Sequence, residues 1–209
     1  MYKAVIWDLD GTLLDTTDGV KYAVRCTIKK LGLPELDNFY LDKFVGPPMQ
    51  LSFQKYYSMN ETDALAAANL FRAIYKEKSL FMANLYPGTL DVLRNLNSKG
   101  YKMAVATNKS HDNAIEILRY FKISQFCDFM MGSDLEGKLK KADIIRECLM
   151  RLAVLPSEAV YVGDSNFDLE GAKKIGMDFI GVTYGFGFRK DDDIGFKLVN
   201  SVSEIEDMI

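Results

Sequence analysis

The chain of 209 residues has only three cysteines, Cys26, Cys127 and Cys148, and no Cys-x-x-Cys pair. Their odd number and wide spacing argue against a disulfide framework or a cysteine zinc site, and predict reduced thiols in a cytoplasmic protein. The one histidine, His111, stands at a predicted helix start and is read as a surface or first-turn residue rather than a catalyst. No apolar run approaches the ~20 residues that cross a bilayer. The N-terminus passes straight into a strand with acids at positions 8 and 10, which does not match a signal peptide. Charge is nearly balanced, 26 basic against 29 acidic residues, so nothing in it predicts a nucleic-acid partner. Repeats and low-complexity tracts are absent. What remains is ordinary globular composition, 48% hydrophobic and 26% charged, in a chain long enough for one large domain or a domain with an insert.

Against that plain background, residues 5–16 stand out: Val-Ile-Trp-Asp-Leu-Asp-Gly-Thr-Leu-Leu-Asp-Thr. Ala4, Val5, Ile6 and Trp7 suit a strand buried on both faces, and Gly11 supplies the turn out of it. Side chains alternate along a strand, so Asp8 and Asp10 leave on the same side and can face one site. Two acids so close repel unless a cation sits between them or one stays protonated. An oxygen-only site of this kind fits a hard divalent ion such as Mg²⁺. A nucleophile paired with an acid/base is a compatible second reading.

From residue 84 onward strand and helix alternate. Leu90, Leu93 and Leu96 recur at helical spacing, and Met103–Ala106 reads as a short buried strand ending in Thr107-Asn108. Phe126–Met131 reads as the next strand. Ile145, Cys148, Leu149 and Leu152 form an amphipathic helix. Ala159–Val162 is a strand ending in Gly163-Asp164, and Phe179–Val182 another. This alternation predicts βαβ units, hence an α/β Rossmann-like parallel sheet with helices on both faces. Residues 16–83 break the rhythm. Val20, Ala23, Val24, Thr27, Ile28 and Leu31 make one helical stripe, and a longer pattern runs from about Asp63 to Phe81. So long a stretch exceeds one crossover helix, which predicts an inserted α-helical domain at 16–83 in a core of 1–15 and 84–209. Gly185-Phe186-Gly187 reads as a flexible loop near the sheet's carboxyl edge, and Asp191-Asp192-Asp193 as a solvated one.

In an open parallel sheet, ligands bind beyond the carboxyl ends of the strands. Asp8 and Asp10 follow the first strand, Thr107-Asn108 a later one, and Asp164 the Val-Tyr-Val run. DLDGTLLDT resembles the first motif of the haloacid dehalogenase-like superfamily, Thr107-Asn108-Lys109 the second, and Gly163-Asp164-Ser165-Asn166-Phe167-Asp168 the fourth. The resemblance extends over nearly the whole chain, and it is closest to the phosphoglycolate phosphatase-like subfamily with a helical cap at 16–83. It implies that Asp8 is the nucleophile, that Asp10 is the acid/base, and that Thr12 orders the loop. It further implies that Thr107 and the neighbouring backbone, with Asn108, hold the phosphoryl group. Mg²⁺ would be bound by Asp8, the carbonyl of Asp10, and Asp164, with Asp168 in support. The third motif departs from the usual Lys-Pro-x-Pro pattern: here the chain reads Gly137-Lys138-Leu139-Lys140-Lys141. Lys141 is preferred on position as the phosphate-facing lysine, and Lys138 is the alternative.

The implied activity is Mg²⁺-dependent hydrolysis of a small phosphate monoester through an aspartyl-phosphate. The implied partner is a small phosphorylated metabolite, with no nucleic acid and no membrane. A β-phosphoglucomutase-like phosphomutase and a pyrophosphatase share the machinery. The non-enzymatic alternative is a phospho-accepting receiver-type switch, against which the Asp-x-Asp-Gly-Thr string and the insert both argue. Gly46, in Gly46-Pro47-Pro48, marks the part of the cap that touches substrate in similar phosphatases. A phosphoglycolate carboxylate would need a cation, for which the insert offers Lys21, Arg25, Lys43, Lys55 and Arg72.

Overall fold

Four consecutive apolar side chains, Ala4–Trp7, form β1, and none of them is exposed in the computed structural model. The structure describes residues 2–134, 138–192 and 195–209. Gly137 and Asp193 therefore lie outside the described residues. The chain forms two compact units: Met1–Asp15 with Leu85–Ile209, and Thr16–Asn84.

In the first unit, β1 is followed by the short β2 (Leu14–Asp15). The second unit is helical, with α1 (Thr17–Lys30), α2 (Asn38–Asp42), α3 (Met49–Tyr57) and α4 (Glu61–Ile74). The chain then runs through β3 (Asn84–Leu85), α5 (Thr89–Ser98), β4 (Lys102–Ser110), α6 (His111–Tyr120) and β5 (Phe129–Ser133). It ends with α7 (Lys141–Leu152), β6 (Ala159–Gly163), α8 (Asn166–Ile175), β7 (Asp178–Val182) and β8 (Lys197–Val199). Six strands make one sheet in the order β5-β4-β1-β6-β7-β8, and every pairing in it is parallel. β1 lies between β4 and β6, so its tip is flanked on both sides by other carboxyl ends. Crossover helices leave such a strand no wet face, which is why its residues are uniformly apolar. On one face Ile6, Ala104, Tyr161 and Phe179 pack with Ile145, Cys148, Leu149 and Leu152 of α7 and Ala172 of α8. Full burial of one such large side chain contributes about 1.5–3 kcal/mol.

The helical unit has its own core. Phe44 and Phe53 are fully buried and meet edge to face at 5.4 Å, and Phe71 stacks on Tyr75 at 5.6 Å.

Several local readings are corrected. The long helical pattern stops as an α-helix at Ile74 and continues as a π-helical turn, Tyr75–Ser79. Leu31 is exposed, because α1 has already ended at Lys30. Ser124–Phe126 form a 3₁₀ turn, so β5 starts only at Phe129. The strand through Thr107 reaches Ser110, with its register against β5 shifted between Ala106 and Ser110. β8 is a sixth strand that apolar periodicity did not signal, since only three residues of it pair. Asp191 and Asp192 are exposed. Among the described residues no helix is long and apolar enough to cross a membrane.

Candidate active site

Asp8 begins where β1 stops, its N–H donating to the Val162 carbonyl of β6 at 2.8 Å. The chain then turns tightly: Leu13 and Leu14 N–H both donate to the Leu9 carbonyl at 3.0 Å. Gly11 holds φ at +86°, and a Cβ there would stand 2.2 Å from Asp164 Oδ2. Only glycine combines that backbone conformation with so close an approach. Thr12 is fully buried in the same turn, and its Oγ1 makes no hydrogen bond to the described residues.

Lys141 opens α7 and is buried. Its Nζ lies 2.6 Å from Asp8 Oδ1 and 2.8 Å from Asp168 Oδ1, and it donates to the Ala106 carbonyl at 3.2 Å. Tyr161 completes the enclosure, donating to the Ala106 carbonyl at 2.7 Å with its oxygen 3.2 Å from Lys141 Nζ. Gly171 of α8 gives the lysine stem room, since a Cβ there would meet Lys141 Cγ at 2.6 Å. Of the other lysines in this stretch, Lys140 precedes the helix and Lys138 lies before it, and both are exposed.

Asp164 follows β6 and is almost wholly buried. Asp168 sits in the first turn of α8, where Ser165 N–H and Oγ donate to its Oδ2 at 3.1 and 2.6 Å. One ligand oxygen from each of Asp8, Asp164 and Asp168 can be chosen so that all lie within 4.8 Å of one another. Thr107 is buried within β4, three residues before its end, and Lys109 N–H donates to its Oγ1 at 3.2 Å. Asn108 is half-buried beside it. Sequence reading named Lys109 only as the last residue of the second motif and gave it no role; its Nζ pairs with Asp10 Oδ1 at 2.7 Å. Its place directly after Thr107-Asn108 was the available signal. Tyr161, read only as part of a strand, carried none.

Gly46 belongs to the helical unit, where φ of +101° turns the chain ahead of Pro48 and α3. Of the five cations there, Lys21 pairs with Asp42, Arg25 bonds Asn38, and Arg72 bonds Asn69. Lys43 and Lys55 lie over the rings of Phe39 and Tyr56.

Electrostatics of the acid cluster favour a cation. Burial raises the Asp8 carboxyl well above its ordinary value; Lys141 opposes this, while Asp168 and Asp164 add to it. Burial, with Asp168, pushes Asp164 up to about 7 against the opposing backbone N–H groups of Phe186 and Gly187. For Lys141 burial acts downward, but Asp168 and Asp8 outweigh it and hold the ammonium above its usual range. The ammonium stays charged, because two carboxylates share it. One lysine cannot neutralise three acids, and the all-oxygen donor set fits Mg²⁺. Asp168 is already bonded on both oxygens, which leaves Asp8 and Asp164 as the carboxylates best able to hold the ion.

This predicts a pH-dependent stabilisation by metal. Asp164 titrates near 7 when folded and near its ordinary 3.8 when unfolded, so metal-free stability falls as pH rises across that window. A divalent ion such as Mg²⁺ held there would bind the ionised form, so adding it should raise Tm more at about pH 8 than at about pH 5.5. A thermal-shift series with Mg²⁺ or EDTA checks this, and an equal shift at both pH values would refute it.

Residues 5–182 match the family model described as haloacid dehalogenase-like hydrolase. A 5'-nucleotidase of Pseudomonas aeruginosa is 33% identical over 89% of this chain and 85% of its own length. A phosphoglycolate phosphatase of Pseudomonas putida is 32% identical over 91% and 73%. The tyrosine-protein kinase PtkA of Mycobacterium tuberculosis is 34% identical over 88% of this chain, which spans only 63% of that protein's length. The crystal structure of a predicted phosphatase from Clostridium acetobutylicum superposes with a TM-score of 0.92 at 36% identity, covering 100% of this chain and 98% of that one. A family match over most of the chain, and relatives above 30% identity that include named phosphatases, agree with the acid cluster at the sheet's carboxyl edge: the chain belongs to the haloacid dehalogenase-like hydrolases.

Proposed function

We propose that this chain is a Mg²⁺-dependent phosphomonoesterase that acts on a small phosphorylated metabolite of the phosphoglycolate class through a phosphoaspartate on Asp8. The observation that carries the reading is the buried Lys141 ammonium clamped between Asp8 and Asp168, beside Asp164. Lys141 fixes Asp8 Oδ1, and Oδ2 is the oxygen assigned to attack phosphorus. As the new O–P bond forms, the ester P–O bond breaks, and Asp10 gives its proton to the departing alkoxide. Water then attacks the phosphoaspartate, Asp10 takes a proton from it, and phosphate leaves with Asp8 restored. Thr107 and Asn108, with Lys141, are assigned to the phosphoryl oxygens, where fixed donors stabilise developing charge without reorganising. Mg²⁺, held by Asp8, Asp164 and the Asp10 carbonyl, would supply neutralisation of phosphoryl charge. The inserted helical unit, Gly46 included, is assigned the cap's role of selecting substrate.

The test is phosphate release from 2-phosphoglycolate, sugar phosphates, nucleoside monophosphates, phosphotyrosine and pyrophosphate, each with Mg²⁺ or EDTA. Release that needs Mg²⁺ and is fastest with 2-phosphoglycolate or a similarly small monoester is the expected result. Fastest release from nucleotides would replace the substrate class, and release indifferent to EDTA would overturn the metal assignment.

A further inference from the structure

Asp164 is held by a loop that glycine content alone marked as flexible, and the structure corrects that reading. The Phe186 N–H donates to Asp164 Oδ2 at 2.6 Å, and the Gly187 N–H bonds the same carboxylate. The Phe188 N–H donates to the Asp164 carbonyl at 2.9 Å. The loop therefore grips this acid by its side chain and its main chain together. Both glycines serve close packing. A Cβ on Gly185 would stand 2.3 Å from the Gly11 carbonyl and 2.5 Å from Asp164 Cβ, and one on Gly187 would stand 2.4 Å from the Asp164 carbonyl.

The loop is anchored at both ends. Phe188 is buried against Phe179, edge to face at 5.9 Å. At the other end the Tyr184 hydroxyl donates to the Thr12 carbonyl at 3.0 Å, and its ring packs on Tyr86 at 4.6 Å between centroids. Tyr86 is tied to the same turn, because its N–H donates to the Leu13 carbonyl at 3.3 Å. Thr12 and Leu13 belong to the turn that leaves Asp8 and Asp10, whereas the loop holding Asp164 follows β7. Two separate stretches of chain thus supply the acids, and the Tyr184–Tyr86 pair joins them.

We propose that Tyr184, braced by Tyr86, is a positioning residue that sets the spacing between the Asp8–Asp10 turn and Asp164, and through it the affinity for the divalent ion. This rests on the reading of Asp8 and Asp164 as the metal-holding acids. Tyr184 touches neither substrate nor metal in this account. It acts through the backbone it anchors, at Thr12, two residues beyond Asp10.

The experiment is calorimetric Mg²⁺ titration of metal-stripped protein, with Tm measured alongside. It compares wild type, Tyr184→Phe, Tyr86→Leu and a control, Thr183→Val. Thr183 Oγ1 lies 3.0 Å from Asn200 Oδ1 and donates to the Val199 carbonyl of β8 at 3.3 Å. Tyr184→Phe should weaken Mg²⁺ binding about tenfold, and Tyr86→Leu should shift it in the same direction. Thr183→Val should lower Tm and leave the Mg²⁺ Kd unchanged. Wild-type Kd values in both tyrosine variants would overturn the positioning role while leaving the metal site standing. No Mg²⁺ binding by wild type would overturn the metal reading and this inference with it.

Discussion

Asp8→Asn should lower the proposed Mg²⁺-dependent phosphate release about a thousandfold or more, equivalent to roughly 4 kcal/mol or more of barrier. The amide keeps the shape of the carboxylate but cannot attack phosphorus. The substitution also separates chemistry from folding. Asp8 is the carboxylate that burial, Asp168 and Asp164 drive upward despite Lys141. Exchanging it for a neutral group relieves repulsion inside a buried trio of acids. The metal-free variant should therefore melt no lower than wild type at about pH 8, above the value of about 7 to which the neighbouring Asp164 is pushed. Coupled phosphate assay and thermal denaturation in EDTA check the two halves. Activity within tenfold of wild type would refute the nucleophile assignment. A large fall in Tm would refute the view of Asp8 as a charge held against electrostatic cost.

The second large effect is Lys141→Met. The methionine fills most of the volume beside Gly171 but leaves Asp8 and Asp168 without their shared cation, 2.6 and 2.8 Å from the missing ammonium. Removing one partner of a buried ion pair typically costs about 3–5 kcal/mol, because the remaining charge is neither solvated nor paired. The deficit should shrink on acidification, as the Asp8 carboxyl, which burial already drives upward, takes up a proton instead. Losing a charge aimed at phosphoryl oxygens should also lower kcat about a hundredfold or more. Denaturant melts at several pH values, read with kinetics at saturating Mg²⁺, test both. A loss under about 1 kcal/mol at neutral pH would show that Lys141 is not the counter-charge of the cluster.

Much of the fold was legible because its signals are local. Ala4–Trp7, Met103–Ala106 and Ala159–Val162 are short apolar runs ending in polar residues, and the helices between them bury faces at helical spacing. β8 was not legible, since a three-residue edge strand is defined by its neighbour and carries no pattern of its own. The turn from α-helical to π-helical geometry at Tyr75 was hidden for a related reason: Ile74, Tyr75 and the residues beyond keep a helical periodicity that does not distinguish the two.

The site divides along the same line. By itself the sequence determined that acids follow the first and a later strand of a parallel sheet, because the strand period and the glycine turn are properties of adjacent residues. Which lysine reaches them was open among three close in the chain, and burial of Lys141 under α8 decided it. Asp168 could be read only as a support for the metal site, and its packing puts Lys141 on one oxygen and Ser165 on the other. The Lys109–Asp10 pair and the Tyr184 anchor on Thr12 join residues 99 and 172 positions apart. No local pattern encodes contacts of that kind. They exist only because βαβ crossovers bring distant strand ends to one edge of the sheet, where the geometry of the packed chain, not the order of its residues, chooses which charges meet.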